Sequence, residues 1–291
     1  MTDFISKEPI YKGWSEDKKY RVTDGRGNSF LLRISPIEKY ESKRNEYGLM
    51  RRVAELGVPI CAPLEFGICD EGVYSVQSWI DGADAEQVIP GLSHAEQYAY
   101  GTDAGRFLST MHSVPAPETQ EDWGIRFNQK IDRKLASYEA CPLKYENGQA
   151  EAFIDYINKN RHLPYGRPQT FQHGDYHIGN MMIDNSGRLY IIDFNRCDFG
   201  DPWEEFNRIV WCAQKAPIFA SGMVDGYFDK SVPMDFWKLL ALYISSNTLS
   251  SLPWAIPFGE GEIATMRNQA SDVFNWYKGM SDPVPAWYRK D

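Results

Sequence analysis

Tyr20 and Val22 alternate with charged neighbours across Lys18 to Thr23, a period of two that predicts a half-buried strand. Ile10 to Trp14 and Ser29 to Ile34 are strand candidates as well, and Asp24-Gly25-Arg26-Gly27-Asn28 is the turn that joins the second strand to the third. The period then lengthens. Pro36 opens a helix of about twenty residues, with Tyr47, Met50, Val53 and Ala54 as its apolar face and Gly57 as the C′ residue that ends it. Leu64 to Cys69 and Val73 to Ile80 form a hairpin around Asp70-Glu71-Gly72, which completes a β-β-β-α-β-β order.

Beyond residue 90 the helical period dominates. Ser93-His94-Ala95-Glu96 is a capping box. The helix it starts carries Ala99, Ala104, Phe107, Leu108 and Met111 as a core stripe, with His112 as a helix-end or packing residue. Two further helical patterns, near 126–140 and 149–162, are separated by loops rich in Pro, Gly and Asn. Residues 203–279 read as three or four more helices. The longest dense apolar run, Leu239 to Ile244, is too short to span a bilayer.

Between these helical regions lies FQHGDYHIGNMMIDNSGRLYIIDF, residues 171–194. Thr170 to Gln172, Met181 to Ile183 and Arg188 to Ile192 predict three short strands, and Asp184-Asn185-Ser186-Gly187 is a strong turn between the last two. Asp175 and Asn180 therefore fall on a loop, and Asp193 ends a hairpin that can return it beside Asn180. Phosphoryl transfer needs such groups: a carboxylate to take the proton of an acceptor hydroxyl, and an amide and a second carboxylate to hold Mg2+.

The pattern H-G-D-x-x-x-x-N followed by I-D-F resembles the aminoglycoside phosphotransferase family, relatives of protein kinases that phosphorylate small molecules. Gly174 stands where protein kinases carry Arg, and Gly200-Asp201-Pro202 with Glu204-Glu205 is similar to the family's G-D-P-x-x-D/E segment. The resemblance runs from about residue 10 to about residue 215. It implies an α+β, bilobal, protein-kinase-like fold: a nucleotide-binding lobe over residues 1–81 and a mainly helical catalytic and acceptor-binding lobe over 82–291. The helical insert at about 113–169 and the C-terminal helices at about 203–279 would build the acceptor pocket.

The resemblance also implies site residues. Asp175 would be the catalytic base, and Asn180 and Asp193 the metal ligands. Arg33 stands where the third strand usually carries the phosphate-binding lysine, with Glu46 on the long helix as its partner. Arginine keeps the charge but is longer and planar, so the geometry must adapt. Gly13 and Ser15 fall where a loop covers the phosphates, although no G-x-G-x-x-G is present, and Gln77 and Trp79 lie on the strand that meets the adenine edge. The implied donor is ATP or GTP with Mg2+. The implied acceptor is a hydroxylated small molecule, an aminoglycoside-like aminosugar first, with choline, homoserine, methylthioribose, macrolides or fructosamines as alternatives. A nucleotide-binding pseudokinase is the non-catalytic alternative, which Arg33 and the missing glycine loop favour and the intact Asp175, Asn180 and Asp193 oppose. A protein kinase fits less well, since no A-P-E follows Asp193.

Composition narrows the partners. The 291 residues are 43% apolar and 24% charged, enough for two lobes with substantial cores. A net charge of −9 argues against nucleic acid and is compatible with a cationic acceptor. Five cysteines without C-x-x-C spacing read as reduced thiols, and the N-terminus has no apolar signal core, so the expected compartment is the cytoplasm, with no membrane partner. Monomer and homodimer are both open.

Overall fold

The computed structural model describes residues 3–11 and 16–289. Gly13 and Ser15, expected over the phosphates, lie outside the described residues. Strands β1 (Phe4–Ile10), β2 (Lys18–Asp24) and β3 (Ser29–Ser35) precede helix α1 (Tyr40–Glu55), and β4 (Pro63–Cys69), β5 (Gly72–Ser78), β6 (Gly82–Asp84) and the short α2 (Ala85–Val88) follow it. Helices α3 (His94–Met111), α4 (Trp123–Ala140) and α5 (Gln149–Asn160) lead to β7 (Thr170–Gln172), β8 (Met181–Asp184), β9 (Leu189–Ile191) and β10 (Asp198–Gly200). Helices α6 (Ile209–Lys215), α7 (Pro217–Phe228), α8 (Met234–Ala255) and α9 (Glu260–Trp276) come last.

The chain divides into two compact units, Met1–Val88 with Gly179–Cys197, and Ile89–Ile178 with Asp198–Asp291. The sequence places a boundary at residue 81; in the folded chain it falls after Val88, and the hairpin of β8 and β9 groups with the first unit. The cause is backbone pairing. Ala83 of β6 pairs with Ile183 of β8, and Ile60 bridges to Ile191 of β9.

The first unit is built on an antiparallel sheet of order β1-β2-β3-β5-β4. The first strand lies earlier than its sequence pattern suggests, at Phe4–Ile10, because β2 runs to Asp24 and its pairing reaches back to Phe4. Alternation along β3 sorts its side chains. Leu32 and Ile34 join Val22, Tyr74 and Val76 in an apolar cluster on one face, while Arg33 and Ser35 point to the other. Gly57, at φ +81°, follows α1 and donates its N–H to the Ala54 carbonyl, as a C′ glycine does.

The second unit is mainly helical. Ser93 and Glu96 form the reciprocal capping box at the start of α3. Helix α8 is buried nearly all round and packs against α4, α5 and α9. Helices α3 and α7 meet through glycines on both sides: Gly101 and Gly105 face the backbone of α7, and Gly222 and Gly226 face the backbone of α3. Strands β6 and β10 have no sequence signature, since each is three residues long and exists only through its partner, β8 and β7 respectively.

A methyl group on Gly105 would strike the Met223 carbonyl. Gly105→Ala is therefore expected to destabilise the protein by about 1–3 kcal/mol, measured by chemical denaturation. Ala at the exposed Gly261 of α9, which has open space around its Cβ position, is the control expected to be neutral or stabilising.

Candidate active site

In the first unit a charge network forms on the α1-facing side of the sheet. Arg33, buried on β3, donates through Nε and Nη2 to Asp17 Oδ2 at 3.2 and 2.9 Å, and through Nη1 to Asp193 Oδ1 at 3.0 Å. The Ser35 hydroxyl donates to the other Asp17 oxygen at 2.6 Å. Lys43 of α1 contributes a third cationic contact, 3.0 Å from Asp17 and 2.9 Å from Glu46. Burial pushes the Asp17 carboxyl up, but the Ser35 hydroxyl, Arg33 and Lys43 outweigh burial and hold it at about 2. Burial likewise disfavours the Arg33 charge, and Asp193, Asp17 and Glu46 more than restore it, so its pKa is raised.

This arrangement corrects one expectation. Glu46 is not the direct ion-pair partner of Arg33; it pairs with Lys43, one helical turn before it, and reaches Arg33 only through its field. Asp17 takes the direct role because β2 runs beside β3, with Lys18 opposite Ile34, which brings the residue before β2 next to Ser35 and Arg33.

The hairpin of β8 and β9 sets Asn180 opposite Ile192 at its open end, one residue before Asp193. Met181 pairs with Ile191, and the Ile192 N–H donates to the Asn180 carbonyl at 3.0 Å. Asp193 has φ +67°, a left-handed conformation that Asp adopts more readily than most residues and that turns its carboxylate toward Arg33. Among the described residues no group of three or more His, Cys, Asp or Glu side chains could hold a metal. The donor set of one carboxamide and one carboxylate nevertheless fits Mg2+, which keeps several waters and takes few protein ligands alongside substrate phosphates.

Gln77 and Trp79 part company. The Gln77 side chain is buried, accepts from the Cys61 thiol at 3.1 Å and so serves the interior. Trp79 follows the end of β5; its indole N–H donates to Asp81 at 2.9 Å, and Arg21 stacks 4.9 Å from its ring centroid.

In the second unit β7 leads into His173-Gly174-Asp175. Gly174, at φ +83°, donates its N–H to the Glu205 carboxylate at 3.0 Å. The Asp175 N–H donates to His173 Nδ1 at 3.3 Å, and the Tyr176 hydroxyl to the Ala104 carbonyl of α3 at 2.7 Å. The loop is thus anchored on both sides of Asp175, whose carboxylate lies 3.3 Å from Arg208 Nε and 3.8 Å from His177 Nε2. Arg208 escaped the sequence reading; its signal is a lone cation among Phe206, Ile209 and Val210, all buried. The Gly200-Asp201-Pro202 segment is a brace. Asp201, fully buried, receives two hydrogen bonds from Arg167 at 2.9 Å each and one from Tyr243 at 2.6 Å. His112 ends α3, 2.9 Å from the Tyr227 hydroxyl, as a packing residue.

The Asp17 carboxyl is held below the ordinary 3.8, so it contributes stability that is present above that pH and lost as pH falls toward about 2. Asp17→Asn is expected to cost about 2 kcal/mol in denaturant titrations at pH 7, with the difference from wild type narrowing below pH 4. Glu46→Gln is expected to cost less, and an equal cost would contradict the pairing described above.

Comparison with known proteins follows this geometry. A family model described as the phosphotransferase enzyme family matches residues 8–238. No curated protein sequence matches. Among solved structures, a thermostable mutant of aminoglycoside phosphotransferase APH(4)-Ia in ternary complex with AMP-PNP and hygromycin B is 15% identical, with a TM-score of 0.69 over 96% of this chain and 95% of that one. A choline/ethanolamine kinase family protein from Mesorhizobium loti is 16% identical, with a TM-score of 0.66 over 98% and 92%. Amicoumacin kinase hAmiN, in complex with AMP-PNP, Ca2+ and Ami, is 13% identical, with a TM-score of 0.64 over 96% and 90%. The fold is therefore that of the small-molecule kinases, α+β and protein-kinase-like. The family match covers most of the chain and includes both the Asp175 loop and the hairpin that ends in Asp193, and the chain accordingly belongs to the phosphotransferase enzyme family, as an enzyme that phosphorylates an alcohol group.

Proposed function

We propose that the protein transfers the terminal phosphate of ATP or GTP, with Mg2+, to a hydroxyl of a small molecule. The observation that carries this reading is the anchored loop: Gly174 and Tyr176 are tied down on either side of Asp175, whose carboxylate is left partly exposed beside Arg208. Asp175 orients the acceptor hydroxyl and takes its proton as the new oxygen–phosphorus bond forms; the bond to the leaving nucleotide breaks, and the nucleoside diphosphate keeps the electron pair. Asn180 and Asp193 are the proposed magnesium ligands, and Mg2+ would neutralise phosphate charge there. Arg33 is the proposed phosphate cation, Trp79 marks the adenine side, and Lys43 adds a second positive charge beside Arg33. Most of the acceleration in this chemistry comes from positioning and charge stabilisation, which suits a braced loop.

The acceptor is proposed to be a polyhydroxylated molecule of aminosugar size. Hygromycin B in the APH(4)-Ia complex supports that class, and the amicoumacin and choline/ethanolamine kinases extend the range of molecules worth testing. A second reading, nucleotide binding without turnover, has one observation in its favour: Asp193 is already engaged by Arg33, so a metal must compete for it.

Asp175→Asn is expected to lower kcat by at least about a hundredfold while nucleotide affinity changes little, with calorimetry reporting affinity and coupled ADP or GDP release reporting kcat. Turnover within a few-fold of wild type would reject the base role. Asp193→Ala is expected to remove the magnesium dependence of nucleotide binding, and unchanged magnesium-dependent heat would reject the metal role.

A further inference from the structure

Three buried carboxylates of the second unit are engaged by its own donors. Glu205 receives the Gly174 N–H, Asp201 receives Arg167 and Tyr243, and Asp225 receives the hydroxyls of Tyr98 and Tyr288 at 2.8 and 2.7 Å. Cations occupy the open ground instead. A cavity of about 510 Å³, the size of small-molecule sites, is lined by Arg126, Lys130 and Arg133 of α4 and by Gln172, three residues before Asp175. The lining sets Glu121 and Asp198 against those three cations.

The positive charge extends from the cavity toward Asp175. Lys130 lies 2.9 Å from Glu204, and Arg208, one turn after Glu204, lies 3.3 Å from Asp175. A rise of about 2 Å per residue along that 3₁₀ turn separates Glu204 from Arg208 by about 8 Å, within the span of one or two sugar rings. Lys134 of α4 is half-buried and has only the Asn247 carboxamide oxygen, at 3.5 Å, as a partner among the described residues. Arg133 is exposed and has no hydrogen-bonding or ionic partner among the described residues. Burial and the neighbouring Lys130 depress the Lys134 amine to about 7, and Arg208 adds to the repulsion while Glu204 opposes it. Four carboxylates, Glu121, Asp175, Asp198 and Glu204, face the five basic side chains Arg126, Lys130, Arg133, Lys134 and Arg208. A protein with a net charge of −9 thus lines one cavity with Arg126, Lys130 and Arg133 and sets Lys134 and Arg208 in the field of Lys130 and Glu204 beside it.

We propose that the acceptor carries an anionic group, a carboxylate or a phosphate, which seats on Lys130, Arg133 and Lys134 while a hydroxyl of the same molecule is presented to Asp175. The proposal rests on the phosphotransferase reading above and adds the charge class of the substrate. An anion there makes charge-assisted hydrogen bonds and favours the charged form of Lys134. A polycationic aminosugar would meet like charges in the same place.

The test compares four probes with the purified full chain and magnesium-ATP: glucuronate, glucose 6-phosphate, neutral glucose and the polycation hygromycin B. ADP release and calorimetric binding are both measured. At least one anionic probe is expected to exceed glucose by about tenfold or more in kcat/KM. Its KM should rise with added salt, and Arg133→Gln should raise that KM more than it raises the KM for glucose. Arg133 is exposed, so this variant folds even where Lys130→Gln, which removes the cation bonded to Glu204, does not. Preference for glucuronate over glucose 6-phosphate, or the reverse, assigns the group as carboxylate or phosphate. If glucose or hygromycin B reacts better than both anions, or if neither anion binds better than glucose, the anionic acceptor is overturned and the phosphotransferase reading stands. If an anion binds selectively and loses that preference in Arg133→Gln, yet no probe is phosphorylated, the anion site stands and the phosphotransferase reading is what fails.

Discussion

A single buried carboxylate sets the geometry of the second unit. Asp201 has no exposed surface, and removing such a charge from water costs several kcal/mol unless its oxygens are fully engaged. Arg167 binds it with two parallel bonds while its guanidinium stacks 3.6 Å from the Trp203 ring centroid, Tyr243 of α8 donates a hydroxyl, and the Trp203 N–H closes the turn. Gln172 of β7 donates to the Asp201 carbonyl, so the strand that delivers Asp175 is tied to the same hub. Glu205, four residues on, then fixes Gly174. The loop carrying Asp175 is held in place because its neighbours must satisfy a buried charge.

The first unit solves the same problem with opposite sign. Its buried charge is a cation, Arg33, and its ring of partners is Asp17 and Asp193, with Ser35 and Lys43 completing the shell of Asp17. A lysine would bring three donors at one point; the planar guanidinium instead forks, with Nε and Nη2 to one carboxylate and Nη1 to another. That fork explains why the residue just before β2, rather than the helix glutamate, completes the pair. Arg33 and Lys43 thus share three carboxylates, Asp17, Asp193 and Glu46.

Charge distribution separates chain-wide balance from local chemistry. A net of −9 describes the whole surface, yet Arg126, Lys130 and Arg133 of α4 line one cavity. Global balance governs solubility and long-range steering, whereas recognition depends on the few groups that line a site.

Much of this protein was legible in its sequence because the governing interactions are local. Helix caps at Ser93, the C′ glycine at Gly57, the hairpin turn at Asp184 to Gly187 and the periodicity of the long helices are all written in residues a few positions apart. The spacing of Asp175, Asn180 and Asp193 was likewise legible, because a loop and a hairpin fix those offsets. Tertiary structure alone decided what depended on distant partners. It chose Asp17 over Glu46 for Arg33, buried Gln77 against Cys61, placed Arg208 on Asp175, made strands of β6 and β10, and collected the α4 cations around one cavity. A sequence fixes which faces an element presents, but which charge meets which is settled only when separate elements pack and each buried ion must find its counter-charge.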